Sequence, residues 1–324
     1  MSVSLVTGGA GFVGKTLVEA LRARGERVRS FDLAPPRHGD DVQGSILDRD
    51  ALGAAMVGVD AVFHLAGNAQ LWARRAELFD EVNHLGARNV VQAAQAAGVE
   101  KFVHCSSLTT LVGRSTPIGR STADENLFLG ETEMLGAYPL SKLRAERAVI
   151  DADGAMERVI VIPTEPLGGG DESLTPPSKM IVDLVNGKTP ATIDCTLNFS
   201  PLHSLAQGMI AARDRGVNGE RYILGGENVS MRRLLVALEK ISGVKMPKAR
   251  LPYGLALLAG VVDTGLSGLT GKAPTAPLTG VRLAGRRVEF SSEKAARALG
   301  WRASPFEDAL REAVDWFRQR GVIR

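Results

Sequence analysis

A phenol and an ammonium stand four positions apart in Tyr138-Pro139-Leu140-Ser141-Lys142, a spacing that places both side chains on one face of a helix starting near Pro139. A tyrosine at its ordinary pKa of about 10 is a poor base at neutral pH, but a nearby cation favours the phenolate by about 1 to 3 units. Such a pair could give a proton to a carbonyl oxygen during reduction, or take one from an alcohol during oxidation. The same spacing also describes a surface tyrosine beside a solvated lysine, so other residues must decide. Val103-His104-Cys105-Ser106-Ser107 reads as an apolar strand ending in two hydroxyl residues, 31 positions before Tyr138. Ser107 could hydrogen-bond the reacting oxygen beside the tyrosine.

Proton transfer of this kind needs a hydride carrier, and the N-terminus has the pattern for one. Val3-Ser4-Leu5-Val6-Thr7 is a short apolar run, followed directly by Gly8, Gly11 and Gly14. It reads as a strand, a phosphate-cradling turn and a helix start: Gly8 for the tight turn, Gly11 for close approach to a pyrophosphate, Gly14 for helix packing on the strand. A second strand, Arg27-Val28-Arg29-Ser30-Phe31-Asp32, ends in an acid 18 residues after Gly14, where a carboxylate could bind ribose hydroxyls. A carboxylate there pairs with a free 2′-hydroxyl and repels a 2′-phosphate, so NAD is expected. Arg37, beyond the Pro35-Pro36 turn, keeps NADP as the lesser alternative.

The elements that position these residues alternate. Val3 to Thr7, Val28 to Asp32, Ala61 to Leu65, Lys101 to Ser106 and Arg158 to Pro163 are strand-like and are separated by amphipathic stretches such as Ala76 to Ala97. That order predicts an α/β protein with a doubly wound parallel sheet, helices on both faces, and ligands beyond the carboxyl ends of the strands. Residues 1–165 are expected to form the dinucleotide-binding domain. Residues 166–324 would form mainly a smaller C-terminal substrate-binding lobe, with segments returning to the first domain; Pro305 to Arg320 has the apolar spacing of a docked helix.

Composition narrows the function classes. Of 324 residues 44% are hydrophobic and 23% charged, as in a globular protein with a sizeable core. A net charge of +3 argues against nucleic acid, and Arg282, Arg286 and Arg287 read as a solvated face or an anion contact. Two cysteines, Cys105 and Cys195, make no disulfide framework and suit a reducing compartment; with a strand already beginning at Val3, a cytoplasmic location is expected. His64, His84 and His104 lack metal-ligand spacing and read as structural, so no metal is expected. The most apolar segment, Leu251 to Val262, ends at Asp263 and glycines before the ~20 apolar residues of a membrane span. It is expected as a helix buried in the C-terminal lobe, the alternatives being a wall of a greasy pocket or a peripheral membrane contact.

The order TGGAGFVG, Asp32, His64-Leu65-Ala66-Gly67, Asn83-His84-Leu85-Gly86, Cys105-Ser106-Ser107 and Tyr138 to Lys142 resembles an extended short-chain dehydrogenase/reductase, of the NAD-dependent epimerase/dehydratase family, across essentially the whole chain. The resemblance implies a Rossmann fold, with Gly8, Gly11, Phe12, Val13 and Gly14 along the pyrophosphate and Asp32 on the adenosine ribose. It implies Asp48 with Ile46 or Leu47 at the adenine, and Leu65, Ala66, Gly67 and Ser106 along the cofactor, with Asn83 supporting the central helix. Ser107, Tyr138 and Lys142 would be the catalytic triad, Lys142 lowering the tyrosine pKa and holding nicotinamide ribose hydroxyls. Pro163 and Thr164 would meet the carboxamide. A homodimer through two helices per subunit is common in such enzymes.

Within the superfamily the chain is similar to the branch of dihydroflavonol reductases, 3β-hydroxysteroid dehydrogenases and hopanoid-associated sugar epimerases. The likeness to the last is in Ile181 to Lys188, Gly219 to Asn228 and Phe290-Ser291-Ser292. Two departures lean away from a nucleotide sugar. Asn198-Phe199-Ser200-Pro201-Leu202-His203 replaces the usual valine-aspartate-valine strand end, and Ile162-Pro163-Thr164-Glu165-Pro166-Leu167-Gly168 lacks the arginine-tyrosine-phenylalanine-asparagine run of nucleotide-sugar enzymes. A lobe rich in Leu, Ala, Val and Gly suits an apolar substrate. The expectation is an oxidoreductase interconverting a ketone and a secondary alcohol on a lipid-like or polycyclic molecule, such as a 3-keto-sphingolipid or a sterol-type ketone. The alternatives are a nucleotide-sugar epimerase or dehydratase, and a dinucleotide sensor without catalysis.

Overall fold

Segments such as Ser4-Leu5-Val6 and Ala61-Val62-Phe63-His64 are buried on both faces, the condition of strands covered by helices on either side. The computed structural model describes residues 2–323. The first strands are β1 (Val3–Thr7), β2 (Arg27–Asp32), β3 (Val42–Gln43), β4 (Ala61–His64) and β5 (Lys101–Cys105). They are followed by β6 (Ser121–Ala123), β7 (Glu157–Pro163), β8 (Glu165–Leu167), β9 (Ala191–Thr192) and β10 (Thr196–Pro201). The last are β11 (Arg221–Leu224), β12 (Asn228–Ser230), β13 (Ala249–Arg250) and β14 (Val288–Phe290).

Seven of these form one parallel sheet in the order β11-β7-β5-β4-β1-β2-β3. The doubly wound sheet expected from the sequence is therefore present. The chain leaves β1 toward β2 and β3, then crosses back to β4, so the order reverses at β1 and opens a crevice beyond the carboxyl ends of β1 and β4.

The first helices are α1 (Phe12–Ala23), α2 (Arg49–Met56), α3 (Glu77–Phe79), α4 (Gly86–Ala96), α5 (Ala137–Ile150) and α6 (Pro176–Val185). The rest are α7 (Leu202–Arg215), α8 (Met231–Ser242), α9 (Tyr253–Thr270), α10 (Leu278–Ala284), α11 (Glu293–Leu299) and α12 (Phe306–Gln319). One core lies between the sheet and α2, α4 and α5, with Phe31, Leu52, Val90, Phe102 and Ile160 buried. A second lies on the other face under α1, α7 and α11, with Leu17, Phe63, Met209 and Tyr222. A third, with Phe199, Leu234, Phe306 and Phe317, joins α6, α8 and α12 to β10. Thus β11 and α7, well past residue 165, pack in the two sheet cores rather than in the third.

Two local expectations change. The stretch Ala76 to Ala97 is not one regular helix: α3 and α4 are joined by a π-helical segment, Asp80–Leu85, which carries Asn83 inward. The apolar run from Leu251 is neither buried nor ended by Asp263. It becomes the 18-residue α9, of which only Ala256, Gly260 and Ser267 are buried. Asp263 is tolerated because its Oδ2 accepts the Ala276 amide at 2.8 Å, while Ser267 Oγ donates back to the Asp263 carbonyl. The helix stops at Gly271, which is left-handed at φ 72°.

Candidate active site

The glycine turn is shaped by contacts that leave no room for side chains. Gly8 has φ 73°, and a Cβ there would lie 2.7 Å from the Ala66 amide nitrogen. The loops after β1 and β4 therefore touch at the point where the sheet order reverses. A Cβ on Gly14 would fall on the Gly8 carbonyl oxygen, and one on Gly67 would come within 2.8 Å of Asn83 Oδ1. Gly11 is the N-cap of α1, with no capping side chain and no acid in the first turn. The first-turn amides of Phe12 and Val13 are consequently free for an anion from outside the chain, which fits the pyrophosphate of a dinucleotide. Gly14→Ala is expected to weaken NADH binding by roughly tenfold or more, ~1.4 kcal/mol, because the loop carrying those amides must shift. Fluorescence titration checks it, and unchanged affinity would mean that the loop does not hold the phosphates.

Asp32 ends β2 at the turn's edge. Its Oδ2 accepts the Ala10 amide and its Oδ1 the Ala34 amide, both at 3.0 Å, so the carboxylate braces the loop and keeps lone pairs to spare. Arg37 is exposed, and its backbone amide donates to Asp41. Asp48 is the N-cap of α2, its Oδ1 accepting from Asp50 and Ala51; Ile46 is buried against Gly86 and Leu47 is exposed. Asn83 accepts the Asn68 amide at 2.7 Å and donates to Ser141 Oγ at 2.9 Å, fixing the loop after Gly67 to α5.

The candidate reacting groups lie where α5 crosses the end of β5. Tyr138, Lys142 and Glu146 are spaced at i, i+4 and i+8 and all are buried. They meet three successive residues of the strand end. Lys142 Nζ donates to the Cys105 carbonyl at 2.6 Å, Ser106 Oγ donates to Glu146 Oε2 at 2.6 Å, and the Ser107 hydroxyl stands near the Tyr138 phenol. Ser107 Oγ also caps the turn Leu108–Leu111, accepting from Thr109. Tyr138 packs edge-on against Phe79 with ring centroids 5.9 Å apart.

The charge state of this row departs from the sequence expectation. Burial pushes the Tyr138 phenol up to about 12, opposed by the nearby Ser107 hydroxyl, and the Lys142 ammonium does not offset it. The physical reason is geometric: that ammonium is bound to a backbone carbonyl and is itself pushed down by burial. Ser106 directs its hydroxyl to Glu146.

Pro163 and Thr164 end β7 close to this row. Thr164 is tied to Ser200 Oγ through its amide at 3.0 Å and its hydroxyl at 2.7 Å, and Ser200 donates on to the Leu224 carbonyl. Asn198 donates to the Gly226 carbonyl and to Asn228 Oδ1. The departure noted in Asn198 to His203 is thus a structural tie between β10 and the loop after β11. His64 and His104 pack with tilted rings, centroids 5.3 Å apart, both kept neutral by burial, His64 at about 3 with its Nδ1 on Thr7 Oγ1. No His, Cys, Asp and Glu group able to hold a metal occurs among the described residues.

Three residues at the site were missed by the sequence reading: Glu146, its buried partner Arg221 on β11, and Glu165. A charged residue continuing the Tyr138–Lys142 row by one more turn was the available signal for Glu146; nothing local marks Arg221. Glu165 opens β8, two residues past Pro163. Its Oε2 is sealed from solvent without a hydrogen-bond partner, and burial raises its carboxyl to about 8. In the unfolded chain it would titrate near 4.5, so the folded state holds this proton more tightly. Stability is therefore lost as pH rises from about 4.5 to about 8 and is flat beyond. Glu165→Gln should melt like the wild type at pH 4.5 and progressively higher than it up to pH 8.5 or so. A constant difference across that range would show that Glu165 is not held protonated.

A crevice with uncapped helix amides, an acid at the second strand and a Ser-Tyr-Lys row at its mouth defines a Rossmann-fold oxidoreductase of the extended short-chain dehydrogenase/reductase type. Residues 4–194 match the model of the NAD dependent epimerase/dehydratase family, and the chain belongs to that family. It is 31% identical to the "Sterol demethylase protein B" of Methylococcus capsulatus, over 99% of both chains. It is 30% identical to a 4-hydroxy-2-methyl-3-oxo-4-farnesyl-3,4-dihydroquinoline-1-oxide ketoreductase of Stigmatella aurantiaca, over 96% of each. The crystal structure of gox2253 superposes with a TM-score of 0.86 at 34% identity, covering 100% of both chains. The protein is an NAD(P)-dependent oxidoreductase.

Proposed function

We propose that this enzyme transfers hydride between NAD(H) and a ketone or secondary alcohol on a hydrophobic molecule, lipid-like or polycyclic. The observation that carries the reading is the register of α5 on the end of β5, which puts Tyr138 and Ser107 on one point while Lys142 stands one turn deeper. The hydrophobic substrate is supported by the sterol and farnesylquinoline names of the relatives. NAD rather than NADP is supported by the Asp32 carboxylate at the end of β2, and a reducing cytoplasm by the two free thiols.

Phe12, Val13 and Gly14 would hold the pyrophosphate, Asp32 the adenosine ribose, Ile46, Leu47 and Asp48 the adenine, Leu65, Ala66 and Gly67 the middle of the dinucleotide, and Pro163 and Thr164 the carboxamide. Bound there, the nicotinamide supplies or accepts the hydride. Ser107 orients the substrate oxygen. Tyr138, with its phenol near 12, keeps its proton at neutral pH and donates it to the carbonyl oxygen as the alcohol forms. Lys142, one helical turn from Tyr138, would hold the nicotinamide ribose hydroxyls, and a cation near the phenol would favour release of its proton.

The test is turnover of purified protein with NADH or NADPH on a 3-keto-ceramide, a 3-ketosteroid and UDP-sugars, with Tyr138→Phe as control. Tyrosine-dependent NADH oxidation by a lipid ketone is expected. Interconversion of a UDP-sugar with no net NADH consumption would replace this reading with an epimerase.

A further inference from the structure

The α9 helix presents an unusual surface. Leu255, Leu258, Val262, Leu266 and Leu269 recur at spacings of three and four and are between 53% and 86% exposed, with Val261 alongside. The fourteen steps from Leu255 to Leu269 make an apolar stripe about 21 Å long. The opposite face is small: Ala256, Gly260 and Ser267 are buried, and a Cβ on Gly260 would touch Val281 and the Ala276 carbonyl of the segment leading into α10. The helix therefore lies flat on α10 with its apolar face outward.

Charge along this segment of the sequence is one-sided. From Val244 to Val288 there are seven basic residues, Lys245, Lys248, Arg250, Lys272, Arg282, Arg286 and Arg287, and one acid, Asp263. The net +6 of this segment compares with +3 for the whole chain, leaving −3 for everything else. Asp263 is turned inward onto Ala276. Lys248 and Arg250 stand exposed just before the helix and Lys272 just after it, and Arg74 lies beside Gly271 at its end. Among the described residues none of Lys245, Lys248, Arg250 and Lys272 makes an ion pair; Arg287 pairs with Asp194.

We propose that α9 docks this protein on the surface of an anionic lipid bilayer, its leucine stripe in the acyl boundary and its flanking cations on the headgroups. Apolar burial and cations at both ends of one flat helix are the two requirements of interfacial binding. A second copy of the chain fits less well, since a two-fold contact through α9 would bring Lys248, Arg250 and Lys272 against the same cations of the copy. The surface stands whatever the substrate is, but its position joins it to the site. Below α9 comes α10, and Thr279 of α10 presses on Gly136, the residue before the helix of Tyr138. α10 thus touches both the docking helix and the residue preceding the helix of Tyr138.

Flotation of the full chain with phosphatidylcholine vesicles and with phosphatidylcholine/phosphatidylglycerol vesicles tests this. Binding is expected with the anionic vesicles and is reduced by high salt. Leu258→Glu/Leu266→Glu/Leu269→Glu and, separately, Lys248→Glu/Arg250→Glu/Lys272→Glu should each lower the vesicle partition constant, the second by roughly a hundredfold at about fivefold per cation. All six side chains are exposed, and unchanged melting temperatures confirm intact folds. No flotation with anionic vesicles overturns the proposal. So does flotation unaffected by the leucine variants, or a dimer, seen by light scattering, that those variants dissociate without any vesicle binding. Tyr138→Phe should float as the wild type does, so loss of turnover and loss of docking are read separately.

Discussion

Replacing Tyr138 by phenylalanine is expected to lower kcat for carbonyl reduction by about a hundredfold to ten-thousandfold, the range set by one positioned proton donor. The substitution is clean because the ring is what packs: its edge contact with Phe79 survives, and Ser107 keeps its bonds from Thr109. Melting temperature and NADH affinity should therefore stay close to wild type. Lys142→Met would behave differently. Its ammonium is assigned both to ribose hydroxyls and to the phenol, so NADH affinity and kcat should fall together. Stopped-flow reduction with saturating NADH separates the two. A Tyr138→Phe enzyme within tenfold of wild type would remove the tyrosine from the chemistry and favour another donor.

The second large effect is on folding. Arg221 and Glu146 are 3% and 4% exposed, with Nε 2.8 Å from Oε1. Arg221 also donates to the carbonyls of Glu125 and Leu127, and Glu146 accepts from Ser106. Removing one partner leaves the other charge buried without compensation, a loss of about 3–5 kcal/mol. For a chain of 324 residues that corresponds to a melting temperature lower by roughly 4–7 °C, for Glu146→Ala or Arg221→Ala alike. The double variant Glu146→Leu/Arg221→Met should recover most of the loss, because it removes both desolvation penalties together. Calorimetry of the four proteins decides it, and additive losses would show that the pair is not a unit. Glu146→Ala should also depress kcat, since it frees Ser106 one residue from Ser107.

Much of the fold is written in local pattern. The alternation of apolar runs with amphipathic stretches is a direct consequence of strands covered on both faces, and the strands from Val3, Arg27, Ala61, Lys101 and Glu157 start and stop within a residue or two of their apolar limits. The glycine turn was legible for the same reason, since the steric demand at Gly8 and Gly14 admits no other residue type. The burial of Leu251 to Val262 was misread because composition reports how apolar a helix is and not what covers it. Its continuation past Asp263 depends on the amide of Ala276, 13 residues on. The π-helical turn at Asn83 likewise follows from its bonds to Asn68 and Ser141.

By itself, then, the sequence determined the sheet, the dinucleotide turn, the acid at Asp32 and the types of residue that can move a proton, because each is set by covalent spacing and short-range sterics. Only the tertiary structure decided the state of those residues. The depth at which α5 meets β5 puts Lys142 on the Cys105 carbonyl and leaves the phenol near 12 rather than lowered. Residues separated by 75 positions, Glu146 and Arg221, are joined under that helix, and Glu165 is sealed into a proton-holding position by strands drawn from elsewhere in the chain. Ionisation energies depend on what surrounds a group after packing, and that is fixed by contacts between distant segments which no local pattern encodes.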